Sequence, residues 1–143
     1  EILSRGDSER RRAVSELAAT ADSGRHGVLR VAQGSGAPQA KGEAMRRADA
    51  IARFLGECAR EVVRRTGVSL LIVTGGSTAL AVIDAVGAAE LRIRGEVESG
   101  LPLCEAATHD GAALHIVTKA GGFGTVDVYE RLIKSLDRRR GSP

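Results

Sequence analysis

Lys119 closes an apolar run and is followed at once by Gly121, Gly122 and Gly124, in the stretch TKAGGFG. An ammonium beside a glycine-rich turn suits one chemistry above others. The point charge and a nest of backbone N–H groups together hold a phosphate. The stretch IVTGGSTALA, Ile72 to Ala81, has the same build. An apolar run meets Gly75 and Gly76, hydroxyls follow at Ser77 and Thr78, and helix formers such as Ala79 come next. Glycine lets backbone approach a ligand with no Cβ in the way. A helix opened by Ser77 and Thr78 also aims its free N–H groups and positive dipole end at an anion. Blander readings compete: a Gly-Gly-Ser-Thr turn can simply reverse the chain, Lys119 can be a solvated strand end, and Phe123 can plug a core. Two observations favour phosphate. Lysines are scarce, at Lys41, Lys119 and Lys134 only, and both turns follow predicted strands.

These turns need a scaffold, and the chain offers one. Asp7 or Ser8 is expected to cap a first helix with Val14, Leu17, Ala18 and Ala21 at helical spacing, ended by Gly24. HGVLRVA, His26 to Ala32, reads as a strand, and Gln33 to Gly42 as a loop. A long helix is predicted from Glu43 to Thr66, its inner stripe formed by Met45, Ala48, Ile51, Ala52, Leu55, Ala59 and Val62, with Gly67 as the stop. SLLIVT, Ser69 to Thr74, is apolar nearly throughout, as in a strand covered on both faces by helices. A short helix from Thr78 to Val86 is closed by Gly87, and Leu91 to Val97 alternates as a strand. Leu101 to Lys119 reads as a hairpin turning at His109-Asp110-Gly111. The last helix is expected from Thr125 to Arg138, with Val128, Leu132, Ile133 and Leu136 inward. The whole is predicted to be a single α/β domain with a mixed, mostly parallel sheet flanked by helices. In such sheets ligands sit beyond the carboxyl ends of the strands, where both glycine turns fall.

Composition narrows the partners. At 143 residues the chain fits one domain, able to bury about two-thirds of its unfolded surface. The chain opens on Glu1 rather than Met, which points to a piece of something longer. The net charge is +3, with arginine clusters at Arg10-Arg11-Arg12 and Arg138-Arg139-Arg140. Phe54, Phe123 and Tyr129 are too few aromatics for a base-stacking platform, and acids interleave with the bases, so nucleic acid is not an expected partner. No apolar run approaches the roughly 20 residues of a membrane span, so no membrane partner is expected either. Cys58 and Cys104 lack CxxC spacing, which fits a reduced, cytoplasmic setting. His26, His109 and His115 are scattered, so no metal site built from protein ligands is expected.

Familiar phosphate motifs fail. The approach to Lys41 has Ala40 before it and Gly42 after it, where a Walker A loop needs Gly and then Ser or Thr. GSGAPQ, Gly34 to Gln39, misses the dinucleotide fingerprint at Gln39.

Three stretches in order, TGGSTALAVIDAVG, LRIRGEVESGLP and IVTKAGGFG, resemble the C-terminal nucleotide-binding domain of the four-carbon acid sugar kinases, over Leu70 to Gly124. The resemblance implies an ATP-dependent kinase of two domains, with Mg²⁺ accompanying the ATP held by this one. An N-terminal domain outside this chain would bind a threonate, erythronate or 3-oxo-tetronate. The family's glycine turns carry over onto Gly75, Gly76, Ser77, Thr78 and Ala79, and onto Lys119, Gly121, Gly122 and Gly124. Gly95 and Glu96 match the middle motif. Ser77 replaces an acidic residue common in the family, which weakens this turn as a Mg²⁺ ligand, and Ser99 stands where Pro is frequent. No residue of this chain is assigned as catalytic, and alone it is expected to phosphorylate nothing. The implied partners are ATP or ADP, the acid sugar through the other domain and, left open, a second copy of the chain. The alternative is a stand-alone nucleotide- or phosphate-binding regulatory module without chemistry. A third reading, a basic interaction domain with purely structural glycines, would show steeply salt-dependent binding to nucleic acid.

Overall fold

Short β-branched and aliphatic runs separated by glycine turns build the sheet, and amphipathic stretches cover it. The computed structural model describes residues 2–32, 41–109 and 111–140. The elements run α1 (Ile2–Asp22), α2 (Lys41–Thr66), β1 (Leu70–Thr74), α3 (Gly76–Ala85), β2 (Leu91–Glu98), β3 (Leu101–Ala107), β4 (Ala113–Lys119) and α4 (Val128–Arg140). The strands lie in the order β1-β4-β3-β2. β1 pairs β4 in parallel, while β3 is antiparallel to both β4 and β2. Three of the four strands therefore point the same way, so their C-terminal ends share one end of the sheet.

Period-two alternation splits the strands between two cores. Val73, Ala106, Leu114 and Ile116 meet Val82 and Val86 of α3, with Ala59 and Val63 of α2 packed alongside. On the other face Leu101 and Val117 meet Val128, Leu132 and Leu136 of α4, with Leu70 and Ile72 alongside. β1 thus has helices against both faces, as its continuous apolar run predicts. A third cluster joins Ala13 and Val14 of α1 to Cys58 and Val62 of α2. Both cysteines are free and buried, and burial pushes the Cys58 thiol up to about 11.

Several expectations need correction. His26–Ala32 forms no strand. Part of this apolar run packs on helices instead: Leu29 lies against the α1–α2 cluster and Gly27 lies close to Leu17, while Val28 is exposed. Among the described residues β1 consequently remains an edge strand with β4 as its one neighbour. Asp7 and Ser8 lie inside α1, which starts at Ile2. α2 starts at Lys41, and most of the predicted loop before it (33–40) lies outside the described residues. Met45 and Ala48 are exposed, the first at 61 %, so the inner stripe of α2 is occupied only from Ile51 onward. α4 begins at Val128, because Thr125 and Asp127 are engaged in a loop clamp. The hairpin turn holds as read, with Gly111 at φ +82° donating to the Thr108 carbonyl at 2.8 Å. Asp110 lies outside the described residues.

The arginine cluster of α1 spends charge within the fold. Arg10 pairs with Glu57 and Glu61 of α2, and Arg12 with Glu9 and Glu16. No helix among the described residues is long and apolar enough to cross a membrane.

Candidate functional site

Parallel pairing of β1 with β4 puts Thr74 opposite Lys119, so the two glycine turns leave the sheet side by side. They touch: the Gly75 N–H donates to the Lys119 carbonyl at 2.9 Å. Gly75 sits at φ +96°, a conformation that favours glycine, and serves as the N-cap of α3 without a side-chain cap. Only at Ala79 does the ladder of α3 begin, its N–H donating to the Gly75 carbonyl at 2.8 Å. The amides of Gly76, Ser77 and Thr78 precede that bond and have no acceptor within the helix. Ala79 therefore contributes no free donor, while Ser77 offers one on an exposed first turn.

Across from them lie Gly121, Gly122 and Gly124, all exposed. A Cβ added at Gly76, Gly121 or Gly122 would meet nothing within 4 Å, so these three present open backbone. Gly124 differs. Its φ is +88°, and a Cβ there would stand 2.9 Å from Val128, so it shapes the entry into α4.

Lys119 is 6 % exposed. Its Nζ donates to the carbonyls of Ala120 (3.1 Å) and Gly121 (3.2 Å) and lies 5.7 Å from the centre of the Tyr129 ring, within cation–π reach. Among the described residues no carboxylate stands within ion-pair distance of it. A buried ammonium without an anion is costly, so an anionic group arriving at this end of the sheet would be stabilised.

Sequence reasoning missed the residues that hold the site. Tyr129 shares a 2.5 Å hydrogen bond with Thr74, linking α4 to the end of β1 beneath the first glycine turn. Arg131 grips Glu98 at the end of β2 with two bonds, 2.9 and 3.0 Å, and also reaches Thr125 and Asp127. The Asp127–Arg131 spacing of four was a readable helical pair. The links to Thr74 and Glu98 carried no local signal.

This clamp gives a pH prediction. Arg131 first, then the Thr125 hydroxyl and a backbone N–H, hold the Asp127 carboxyl down at about 2. Because the folded value lies below the ordinary 3.8, the stabilisation is fully present above about pH 4 and is lost as pH falls through about 2. An NMR titration of the Asp127 carboxyl carbon should show that low midpoint. A midpoint at the ordinary value would mean that the clamp is not formed in solution.

Gly95 and Glu96 lie elsewhere. β2 is two strands from β4, roughly 10 Å away at the usual strand spacing. Gly95 occupies a bulge at φ +143° opposite Leu103, and the Glu96 side chain accepts from the Gly100 N–H at 3.3 Å. Their motif reaches the site through the β2–β3 turn: Gly100 lies so close to Phe123 that a Cβ would stand 2.9 Å from its ring.

The site can thus hold a phosphate chain between two backbone turns and a lysine. For Mg²⁺ the donors do not fit. Among the described residues no three potential metal ligands cluster, and Glu98 and Asp127 are committed to Arg131.

The chain is 41 % identical over 93 residues to a D-threonate kinase of Bordetella bronchiseptica, covering 65 % of this chain and 23 % of that protein. It is 35 % identical over 100 residues to a 3-oxo-tetronate kinase of Burkholderia multivorans, covering 62 % and 23 %. It thus spans less than a quarter of the length of these curated relatives. A solved structure of a domain of unknown function from B. bronchiseptica, a domain-swapped dimer with bound citrate, superposes with a TM-score of 0.62 at 32 % identity, over 86 % of this chain and 30 % of that one. A Haemophilus influenzae protein at 18 % identity and TM-score 0.57 shares the fold. The resemblance read from the three motifs is borne out, and with the family model for the nucleotide-binding C-terminal domain matching residues 1–129, the chain belongs to that family.

Proposed function

We propose that this chain holds ATP for a kinase acting on four-carbon acid sugars of the threonate or 3-oxo-tetronate type. The observation that carries the reading is Lys119: a buried ammonium with no carboxylate in ion-pair reach among the described residues, set between two turns of open backbone. Phosphoryl transfer is mostly positioning and neutralisation of charge. In this reading the amides of Gly76, Ser77 and Thr78 and the Gly121–Gly122 turn grip phosphate oxygens, and Lys119 offsets their charge. Mg²⁺ travels with the nucleotide, held by phosphates and water. The acid sugar and the base for its hydroxyl belong to a domain outside this chain, in keeping with the greater length of the relatives. Pairing of two copies is part of the proposal, motivated by the dimeric Bordetella structure.

The test separates binding from folding. Gly76→Val and Gly122→Val place side chains in open space, so both variants should stay folded while calorimetry shows ATP binding reduced beyond detection. Gly124→Val should instead lower the melting temperature, through its φ of +88° and its clash with Val128. Normal ATP binding by both of the first two variants would sink the assignment.

A further inference from the structure

At the end of the sheet away from Lys119, a cavity of about 440 Å³ opens between α2, the last turn of α3 and the β3–β4 turn. That volume is in the range of small-molecule sites, which are mostly apolar with a few convergent polar groups. Val63 and Val86 supply apolar lining, and Arg60 and Arg64 bring two guanidiniums from one turn of α2. Neither arginine has a carboxylate within ion-pair distance among the described residues; the neighbouring Glu61 is committed to Arg10 and Arg65.

The cavity is preformed. The His109 N–H donates to the Val86 carbonyl at 3.4 Å, and Gly87, at φ +71°, approaches His109 so closely that a Cβ would stand 2.8 Å away. Three of the last carbonyls of α3 are already taken: Val82, Asp84 and Ile83 accept from Val86, Gly87 and Ala88, which leaves that of Ala85 facing the arginines' end of the helix. Both arginines are exposed and solvated, near the residual negative end of the helix dipole and open to a ligand. A concave space of this size favours a small molecule over a protein surface.

We infer that this cavity binds a small organic anion, its carboxylate or phosphate group held by Arg60 and Arg64 and a short apolar body set against Val63 and Val86. The site is separate from the glycine turns, which lie at the other end of α3.

The test is an NMR titration of the ¹⁵N-labelled chain with phenyl phosphate, with inorganic phosphate as comparison. The amides of Gly87 and His109 should shift saturably, and Arg60→Gln with Arg64→Gln should weaken that response about tenfold or more, as expected for lost charge-assisted bonds. Perturbation confined to Ser77 and Gly121–Gly122 would overturn the inference by assigning the anion to the other site. So would an unchanged affinity in the double variant, which would leave the arginines as partners of the helix end. Inorganic phosphate binding there as tightly as phenyl phosphate would remove the apolar half.

Discussion

Lys119→Met should weaken ATP binding by about a hundredfold and erase the difference between ATP and AMP. A charge-assisted contact to phosphate in a dry site is worth about 3 kcal/mol, and each 1.4 kcal/mol is tenfold in affinity. Methionine matches the length of the lysine stem and removes only the ammonium. The carbonyls it leaves, of Ala120 and Gly121, belong to exposed residues and can turn to water. Stability should therefore hold or rise slightly, since a buried charge without a counter-ion is itself a cost. Calorimetric titration with ATP, ADP and AMP checks the first part, and a thermal melt the second. An affinity within threefold of the parent would make Lys119 a structural residue. Tyr129→Phe, which keeps the ring and loses the bond to Thr74, should fall between the parent and Lys119→Met.

Gly56→Val should destabilise the domain by about 3 kcal/mol or more, lowering the melting temperature by roughly 10 °C. Gly56 is buried on α2, where that helix crosses α3. A Cβ there would stand 2.5 Å from the Ala81 carbonyl oxygen and 3.2 Å from the Ala85 Cβ. The first obstacle is backbone, which cannot rotate aside as a side-chain tip could. Separation of the two helices would open the core in which Val82 and Val86 meet the sheet. Gly6→Ala is the control. It lies within α1 with nothing within 4 Å of the added methyl, so it should gain roughly 0.5–1 kcal/mol from helix propensity alone. Equal melting temperatures for Gly56→Val and the parent would show that α2 and α3 do not cross this closely.

What could be read in advance follows how local each signal is. Gly75-Gly76-Ser77-Thr78 and Lys119 with its glycines announce themselves within a few residues, because strand, turn and helix start are consecutive in the chain. That both sit at strand ends followed from the parallel-sheet rule, whereas their mutual contact depends on β1 pairing with β4, which no local stretch records. Glu98 with Arg131 and Thr74 with Tyr129 are joined across the fold, and a single sequence holds no record of such pairs. His26–Ala32 misled because a short β-branched, apolar run reports burial and is silent about what does the burying. Met45 and Ala48 extend a helical stripe past the point where anything covers it. Gly56 gave no signal of its own, since the closeness of two helices is a property of their crossing.

The attachment of α1 sets how the molecule loosens. Ala13 and Val14 pack with Cys58 and Val62, and Arg10 is paired with Glu57 and Glu61, all on α2. Among the described residues, the two clusters that hold the sheet draw none from α1. Cohesion is therefore tiered, and α1 can open while the layers around the sheet stay intact, in the manner of an independent cooperative unit. A ligand at the end of the sheet, touching nothing on α1, would bind the closed and the α1-opened forms alike. It would raise the free energy of complete unfolding and leave the opening of this outer tier where it was.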